Sequence, residues 1–176
     1  MKIKHKFQRV AVLIDVQNMY YSAKNLYGAK VNFGEIVKTA VGERQLIRAI
    51  AYVIRTKTGE EKPFFEALTK LGIETKEKDL QEFYGGVKKG DWDVGLAVDA
   101  VELSEKVDVI ILVSGDGDFL PLVEYVQPKG CLVEIVAFRE TASGKLVEAA
   151  DDFINLSEEK NKFLFSPRPA KKLRRE

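Results

Sequence analysis

The sequence predicts an α/β protein built on a mainly parallel sheet, and three observations carry that expectation. Two runs of aliphatic residues, Val10-Ala11-Val12-Leu13-Ile14 and Val109-Ile110-Ile111-Leu112-Val113, are apolar without alternation, as strands covered on both faces are. Each run ends in acid, Asp15 directly and Asp116 and Asp118 after Ser114-Gly115, and each is followed by a helical pattern. Strand and helix patterns then alternate at intervals of roughly 30 residues, the rhythm of right-handed βαβ crossovers.

Taken in order, residues 1–9 form a basic leader with Lys2, Lys4, His5, Lys6 and Arg9, and the first strand runs from Val10 to Asp15. Asn18, Met19, Tyr20, Ala23 and Leu26 continue at helical spacing to a stop at Gly28. A short helix over 33–41 starts after Asn32, a good cap, and ends near Gly42. Leu46 to Arg55 reads as the second strand, leading into a charged loop over 55–62. Pro63 opens a helix with Phe64, Phe65, Leu68 and Leu71, stopped at Gly72, and Ile73 to Lys78 reads as an edge strand. Phe83 to Gly90 is too rich in glycine for a helix and is expected to be a mobile loop.

Asp91 is placed to cap the next helix, which runs to about Lys106. At about 100° per residue, Asp99 lies roughly 120° around that helix from Asp93, so both cannot enter one pocket unless the site wraps the helix. After the central strand come a short helix over Phe119 to Val126, closed by Pro128 and Gly130, and a strand over Cys131 to Phe138. A helix capped by Ser143 and a final strand over Phe153 to Leu156 follow. The domain is therefore expected over 10–156, with 157–176 a basic, disordered tail. The tail's Arg168, Lys171, Lys172, Arg174 and Arg175 either add affinity for a polyanion or only solubility.

Composition narrows the function classes. With 176 residues, 45% hydrophobic and 31% charged, the chain has the make-up of one globular domain. A net charge of +1 gives no global basic excess, so any nucleic-acid contact has to come from local patches. The single cysteine, Cys131, forms no internal disulfide and reads as core. The single histidine, His5, excludes a histidine-rich metal site and a Ser/His/Asp triad with an interior imidazole. No stretch approaches the ~18 apolar residues of a membrane span, and no signal-peptide core is present, so a cytoplasmic protein without membrane contact is expected.

Chemistry is left to carboxylates. In open α/β sheets ligands bind beyond the carboxyl ends of the strands, where Asp15 and Asp116 fall, and Asp93 opens the helix that precedes the second of these strands. Three carboxylates at one edge repel one another unless something neutralises them. Hard oxygen ligands without histidine or cysteine suit Mg²⁺ or Mn²⁺. Asp118 reads equally as a helix cap, and Asp99 as a flank acid holding a neighbouring group.

Three motifs now form a pattern: Val12-Leu13-Ile14-Asp15-Val16-Gln17-Asn18-Met19-Tyr20, Lys89-Gly90-Asp91-Trp92-Asp93-Val94-Gly95-Leu96-Ala97-Val98-Asp99, and Ser114-Gly115-Asp116-Gly117-Asp118-Phe119-Leu120-Pro121-Leu122-Val123. In this order and spacing the chain resembles the NYN domains of the LabA-like group, relatives of PIN-domain ribonucleases. The likeness extends through Gly130, Ser143, Leu146, Ala150, Asp151 and Phe153. Val16 departs from it, standing where the family often has glycine.

The resemblance implies a PIN-like three-layer α/β/α sandwich and a metal-dependent ribonuclease. Asp15, Asp93, Asp116 and Asp118 match its acidic metal-binding set, with Asp99, Asn18 and Ser114 as secondary acid and polar positions. The implied mechanism is in-line attack of a metal-activated water on an RNA phosphodiester, with Asp15 and Asp116 as core ligands. Lys88, Lys89, Arg55 and Lys57 are the candidates to hold a single-stranded RNA backbone, and Tyr84 or Trp92 to stack on a base, Trp92 alternatively packing under its helix.

Two rival readings share the residues. One is a regulatory module that holds RNA or metal without cutting. The other is a phosphoryl-transfer enzyme with Asp15 as nucleophile, which is disfavoured because Gln17 occupies the place of the second acid such enzymes often need. A homodimer is plausible on general grounds, though no apolar stripe marks its interface.

Overall fold

The computed structural model describes residues 4–86 and 88–165. Ten strands and seven α-helices follow one another as β1 (Arg9–Asp15), α1 (Val16–Tyr27), β2 (Lys30–Val31), α2 (Phe33–Val41), β3 (Gln45–Arg55), α3 (Lys62–Lys70), β4 (Glu74–Asp79), β5 (Gln81–Glu82), β6 (Lys88–Lys89), α4 (Asp93–Ser104), β7 (Val109–Val113), α5 (Leu120–Val126), β8 (Leu132–Ala137), α6 (Gly144–Ala149), β9 (Asp152–Asn155), α7 (Lys160–Phe163) and β10 (Leu164–Phe165), counted among the described residues.

Six strands form one sheet in the order β4-β3-β1-β7-β8-β9, and every pairing in it is parallel. The strands β1, β3 and β4 build outward in one direction and β7, β8 and β9 in the other, so the order reverses between β1 and β7. At such a switch point the crossover helices diverge to opposite faces and leave a crevice at the strand carboxyl ends.

Two cores explain why β1 and β7 are apolar on both faces. Val10, Val12 and Ile14 pack with Met19, Ile36 and Phe65 in one cluster, under α1, α2 and α3. Ala11 and Leu13 pack with Leu96, Ala100, Val123 and Leu146 in the other, under α4, α5 and α6. The expected three-layer sandwich is the architecture found. Cys131 is buried in the second core, where burial pushes its thiol up to about 11.

The edge strand β4, Glu-Thr-Lys-Glu-Lys-Asp, carries charge along its length, as edges that must not pair further do. Opposite it in the chain, Arg44 lies in the turn between α2 and β3 and reaches the buried Glu134 of β8. Both guanidinium NH groups donate to that carboxylate at 2.8 Å, and the Arg44 side chain also donates to the carbonyls of Ala40 and Val41.

Three local expectations are corrected. The glycine-rich segment before α4 is not wholly a loop, because β5 and β6 pair antiparallel as a short hairpin with Gly85 and Gly86 at positive φ in its turn. Asp91 does not cap α4; Trp92 occupies the cap position, and the Asp91 carbonyl accepts from Lys78 Nζ at 3.0 Å. The chain also stays on the domain after residue 156. Phe163 enters the first core at 2% exposure, its carbonyl accepts from Asn32 N, and β10 pairs antiparallel with β2. Two apolar residues among lysines were enough to seat this segment, and the basic stretch over 166–176 lies outside the described residues. Among the described residues no helix is long and apolar enough to cross a membrane.

Candidate functional site

The site begins where β1 ends. Asp15 is the last residue of β1 and the N-cap of α1, with Oδ1 accepting from Asn18 N at 3.2 Å. Its Oδ2 accepts from the fully buried Ser114 hydroxyl at 3.1 Å, just past the end of β7. Ser114 Oγ in turn accepts from Asp116 N at 3.2 Å, so one hydroxyl fixes the Asp15 carboxylate and the backbone that carries Asp116. Asn18 completes the tie, its Oδ1 accepting from Gly115 N at 3.1 Å. A side chain at Gly115 has no room: its Cβ would stand 2.9 Å from the Ala142 backbone, where Ser143 N donates to the Gly115 carbonyl. The loops after β7 and β8 are thereby held against each other beside the acids.

Asp93 arrives from the other layer, in the first turn of α4. Carboxylate oxygens of Asp15, Asp93 and Asp116 lie within 4.8 Å of one another. They line a crevice of about 370 Å³ together with Asp91, Gln17, Asn18, Tyr21, Ser22, Asn25 and Thr141. Four carboxylates and, among the described residues, no cation face this space. A larger cleft, about 540 Å³, lies between α3 and β4, but its Arg55, Lys62 and Lys70 stand with Glu61, Glu66 and Glu77, so its charges balance within it.

The electrostatics follow from crowding. Burial pushes the Asp15 carboxyl above its ordinary range; hydrogen bonds from Asn18 N and Ser114 pull it back, while Asp116 and Asp91 push it further up. Asp93 is pushed up to about 6, first by burial and then by Asp15, Asp116, Asp91 and Asp118. This raised value is a cost to the fold near neutrality. Between the ordinary carboxylate value of about 3.9 and 6, the folded state keeps a proton that the unfolded chain has lost, so stability falls as pH rises through that window.

Asp93→Asn is therefore expected to stabilise the metal-free protein near pH 7 by about 1 kcal/mol, after discounting for solvent screening of a partly exposed group. The gain should fade as pH drops from about 6 and be gone below about 3, where wild-type Asp93 is protonated in both states. Thermal unfolding of both proteins across this range checks it; a gain independent of pH would contradict the electrostatic origin.

The comparisons with known proteins bear on this arrangement. The sequence profile of the NYN domain matches residues 9–157, most of the chain. The chain belongs to the NYN domain family. It is 27% identical over 158 residues to the low amplitude and bright protein LabA of Synechococcus elongatus, covering 85% of this chain and 84% of that protein. It is 30% identical over 175 residues to an uncharacterised protein of Methanocaldococcus jannaschii, of which the match spans only 63%. A crystal structure of a protein of unknown function from Vibrio parahaemolyticus superimposes with a TM-score of 0.83 at 33% identity, covering 93% of this chain and all of that one. The LabA-like resemblance and the PIN-like α/β fold expected from the motifs hold, and this NYN domain carries an acidic cluster on a PIN-like nuclease fold.

Of the residues singled out in the sequence, this NYN domain gathers Asp15, Asn18, Asp93, Ser114 and Asp116. Asp118 is exposed on the 3-10 turn Gly117–Phe119, outside the close cluster; Asp116 caps that turn, accepting from Asp118 N at 3.0 Å. Asp99 points elsewhere, as the helical wheel required. Its Oδ2 accepts from Tyr52 Oη at 2.7 Å and Lys76 Nζ at 2.6 Å. Partial burial pushes Asp99 up, yet Lys76 and the Tyr52 hydroxyl outweigh it and hold it below its ordinary value.

Trp92 is a packing residue: Nε1 donates to Val53 O at 2.9 Å, and its ring covers Gly95, where a Cβ would stand 2.6 Å from Cε3. Together Trp92 and Asp99 pin α4 to β3 and β4 and so set where Asp93 sits. Arg55 pairs with Asp79 at 2.8 Å and Glu77 at 3.1 Å, and Lys57 with Glu82 at 3.2 Å, so neither lines the crevice. The side chains of Lys88 and Lys89 lie outside the described structure, and Tyr84 is fully exposed at the hairpin.

Asp91, Gln17, Tyr21, Ser22, Asn25 and Thr141 were not anticipated in the crevice. A signal existed for three of them, because Tyr21, Ser22 and Asn25 follow the anticipated Asn18 at i+3, i+4 and i+7 along one face of α1. Thr141 enters from the loop after β8, which no local pattern announces.

Proposed function

We propose that this NYN domain is a ribonuclease that hydrolyses RNA phosphodiester bonds with Mg²⁺ or Mn²⁺ held at the aspartate cluster. The observation that carries the reading is the convergence of Asp15, Asp93 and Asp116 within 4.8 Å at the switch point of the sheet, in a crevice whose lining contains no cation among the described residues. The donor set fits such an ion: every candidate ligand is a hard carboxylate oxygen, with no imidazole or thiolate to favour zinc.

Asp15, Asp93 and Asp116 are the direct ligands in this reading, and the exposed Asp118 completes the site through water. When bound, the ion neutralises the cluster, polarises a phosphodiester oxygen and acidifies the attacking water. The chain's own contribution is preorganisation. Ser114 and Asn18 hold the β1 and β7 ends in register, so Asp15 and Asp116 need no rearrangement to present their oxygens. Asp93 gives up a proton as a cation arrives, which makes binding weaker as pH falls through about 6. Arg55 and Lys57 sit in exposed ion pairs, weakened by solvent screening, that a phosphate backbone can displace.

The test is incubation of the full chain with labelled single-stranded and structured RNAs in Mg²⁺, Mn²⁺ or EDTA, beside Asp116→Asn purified identically. Cleavage that needs metal and disappears in the variant is expected. RNA binding with no cleavage under either metal would replace this reading with a non-catalytic RNA-binding module.

A further inference from the structure

The crevice has two chemically different halves, and only one is accounted for by a metal. Its acidic half is made by Asp15, Asp91, Asp93 and Asp116. Its other half is the exposed face of α1, and it carries no charge: Gln17, Asn18, Tyr21, Ser22 and Asn25, with Thr141 opposite. Ser22 and Thr141 satisfy each other through a 3.0 Å hydrogen bond. The side-chain amides of Gln17 and Asn25 and the Tyr21 hydroxyl have no hydrogen-bond partner among the described residues, and the Tyr21 ring is 50% exposed.

Tyr20 stands edge-on to Tyr21 at 5.2 Å between centroids and steadies that ring. Lys24 Nζ lies 5.7 Å from the Tyr20 centroid, a cation on the same side of α1. From Asn18 to Asn25 the helix advances about 10 Å.

We infer that the α1 wall is a subsite for a single nucleobase, with the base lying on Tyr21 and its edge meeting the amides of Asn25 and Gln17. The inference rests on the proposed function for the acidic half of the crevice and names what occupies the remainder. A nucleotide in a strand is the ligand whose two ends match the two halves. Its phosphate is anionic and suits a cation-filled carboxylate cluster; its base is flat, neutral and rimmed with the same donors and acceptors an amide offers. Tyrosine stacks on any base, whereas paired donor and acceptor on one amide favour particular edges. A base must leave its own stack to lie on Tyr21, so the subsite selects single strands, loops and ends over continuous duplex. Lys24 is placed for a neighbouring phosphate on the strand as it leaves the crevice.

The experiment is fluorescence anisotropy of short labelled single-stranded oligoribonucleotides with the full chain, wild type and Tyr21→Ala and Tyr21→Phe variants, in Mg²⁺, with strand integrity checked on a gel. A series in which each base in turn is removed to leave an abasic sugar completes it. Tyr21→Ala is expected to weaken binding about tenfold and Tyr21→Phe by less than about twofold. One abasic position should weaken wild type by at least that factor and Tyr21→Ala by clearly less, because the variant has already lost the stacking and keeps only the amide contacts to the base.

Equal binding by wild type and Tyr21→Ala, an equal abasic cost in both, or no binding of single strands at all would overturn the subsite. The half-exposed position of Tyr21 keeps the alanine variant foldable, and its thermal unfolding verifies this. Failure of the two readings is distinguishable. Base-dependent binding through Tyr21 without cleavage removes the nuclease and leaves the subsite; metal-dependent cleavage without Tyr21–base coupling does the reverse.

Discussion

Asp15→Asn is expected to lower metal-dependent RNA cleavage by about a thousandfold or more, whereas Asp118→Asn lowers it by about tenfold or less. The difference comes from position. Asp15 is only 9% exposed, contributes an oxygen to the close cluster and is fixed by Asn18 N and Ser114 Oγ. A ligand lost there removes several kcal/mol of charge stabilisation at a phosphodiester, and each 1.36 kcal/mol is tenfold in rate. Asp118 is exposed and outside that cluster, so water replaces it at small loss. Asparagine at 15 keeps one oxygen for Asn18 N, turns an amide NH2 toward Ser114 Oγ, which accepts in place of donating, and removes a charge that burial disfavours, so the variant should unfold at no lower temperature than wild type. Single-turnover cleavage rates with unfolding curves measure both sides; equal losses at 15 and 118 would contradict this arrangement of ligands.

The second large effect concerns the fold rather than the chemistry. Arg44→Met is expected to destabilise the domain by about 3–5 kcal/mol, because it leaves the Glu134 carboxylate buried without its main partner. Glu134 is 3% exposed and Arg44 7%, and the guanidinium also satisfies the Ala40 and Val41 carbonyls at the end of α2. For a chain of this size that is a fall in unfolding temperature of about 10 °C. Arg44→Met combined with Glu134→Met should recover most of the loss, since the apolar pair leaves no buried charge. A double variant no more stable than Arg44→Met would show that the carbonyl contacts, and not the ion pair, hold this corner. Lys4, 3.6 Å from Glu134, is too exposed to substitute for the guanidinium.

The parts of this molecule readable from sequence are those where one local pattern has one physical solution. An unbroken aliphatic run ending in acid, as at Ile14-Asp15, is a covered strand that meets solvent at its carboxyl end, and two such runs placed Asp15 and Asp116 correctly. Asn32, Ser143 and Gly28 marked helix ends because their side chains or backbone satisfy groups that a helix leaves unpaired. The wheel separated Asp93 from Asp99 before any partner was known, and Tyr52 and Lys76 supplied the reason.

What sequence did not disclose depends on contacts made across the fold. Asp91 has the chemistry of a cap, but the Trp92 indole reaches Val53 O and covers Gly95, which starts α4 after Trp92 and leaves Asp91 on the crevice wall. The ion pairs of Arg55 with Asp79 and Glu77 and of Lys57 with Glu82 join segments that no local pattern brings together. Phe163 lies in a stretch whose composition suggests a tail, and only the exposed end of the first core gives it somewhere to go. Tyr21 reaches the crevice through helical spacing from Asn18, whereas Tyr84 and Trp92, the aromatics beside the loop lysines, stand outside its lining.

Whether the aspartate cluster holds a divalent cation is read by titrating Mn²⁺ into the full chain and following the free ion by electron paramagnetic resonance. Saturable binding is expected that weakens as pH falls through about 6 and is lost in both Asp15→Asn and Asp116→Asn. Saturable binding that survives both substitutions, or no saturable binding in the wild type, would contradict it.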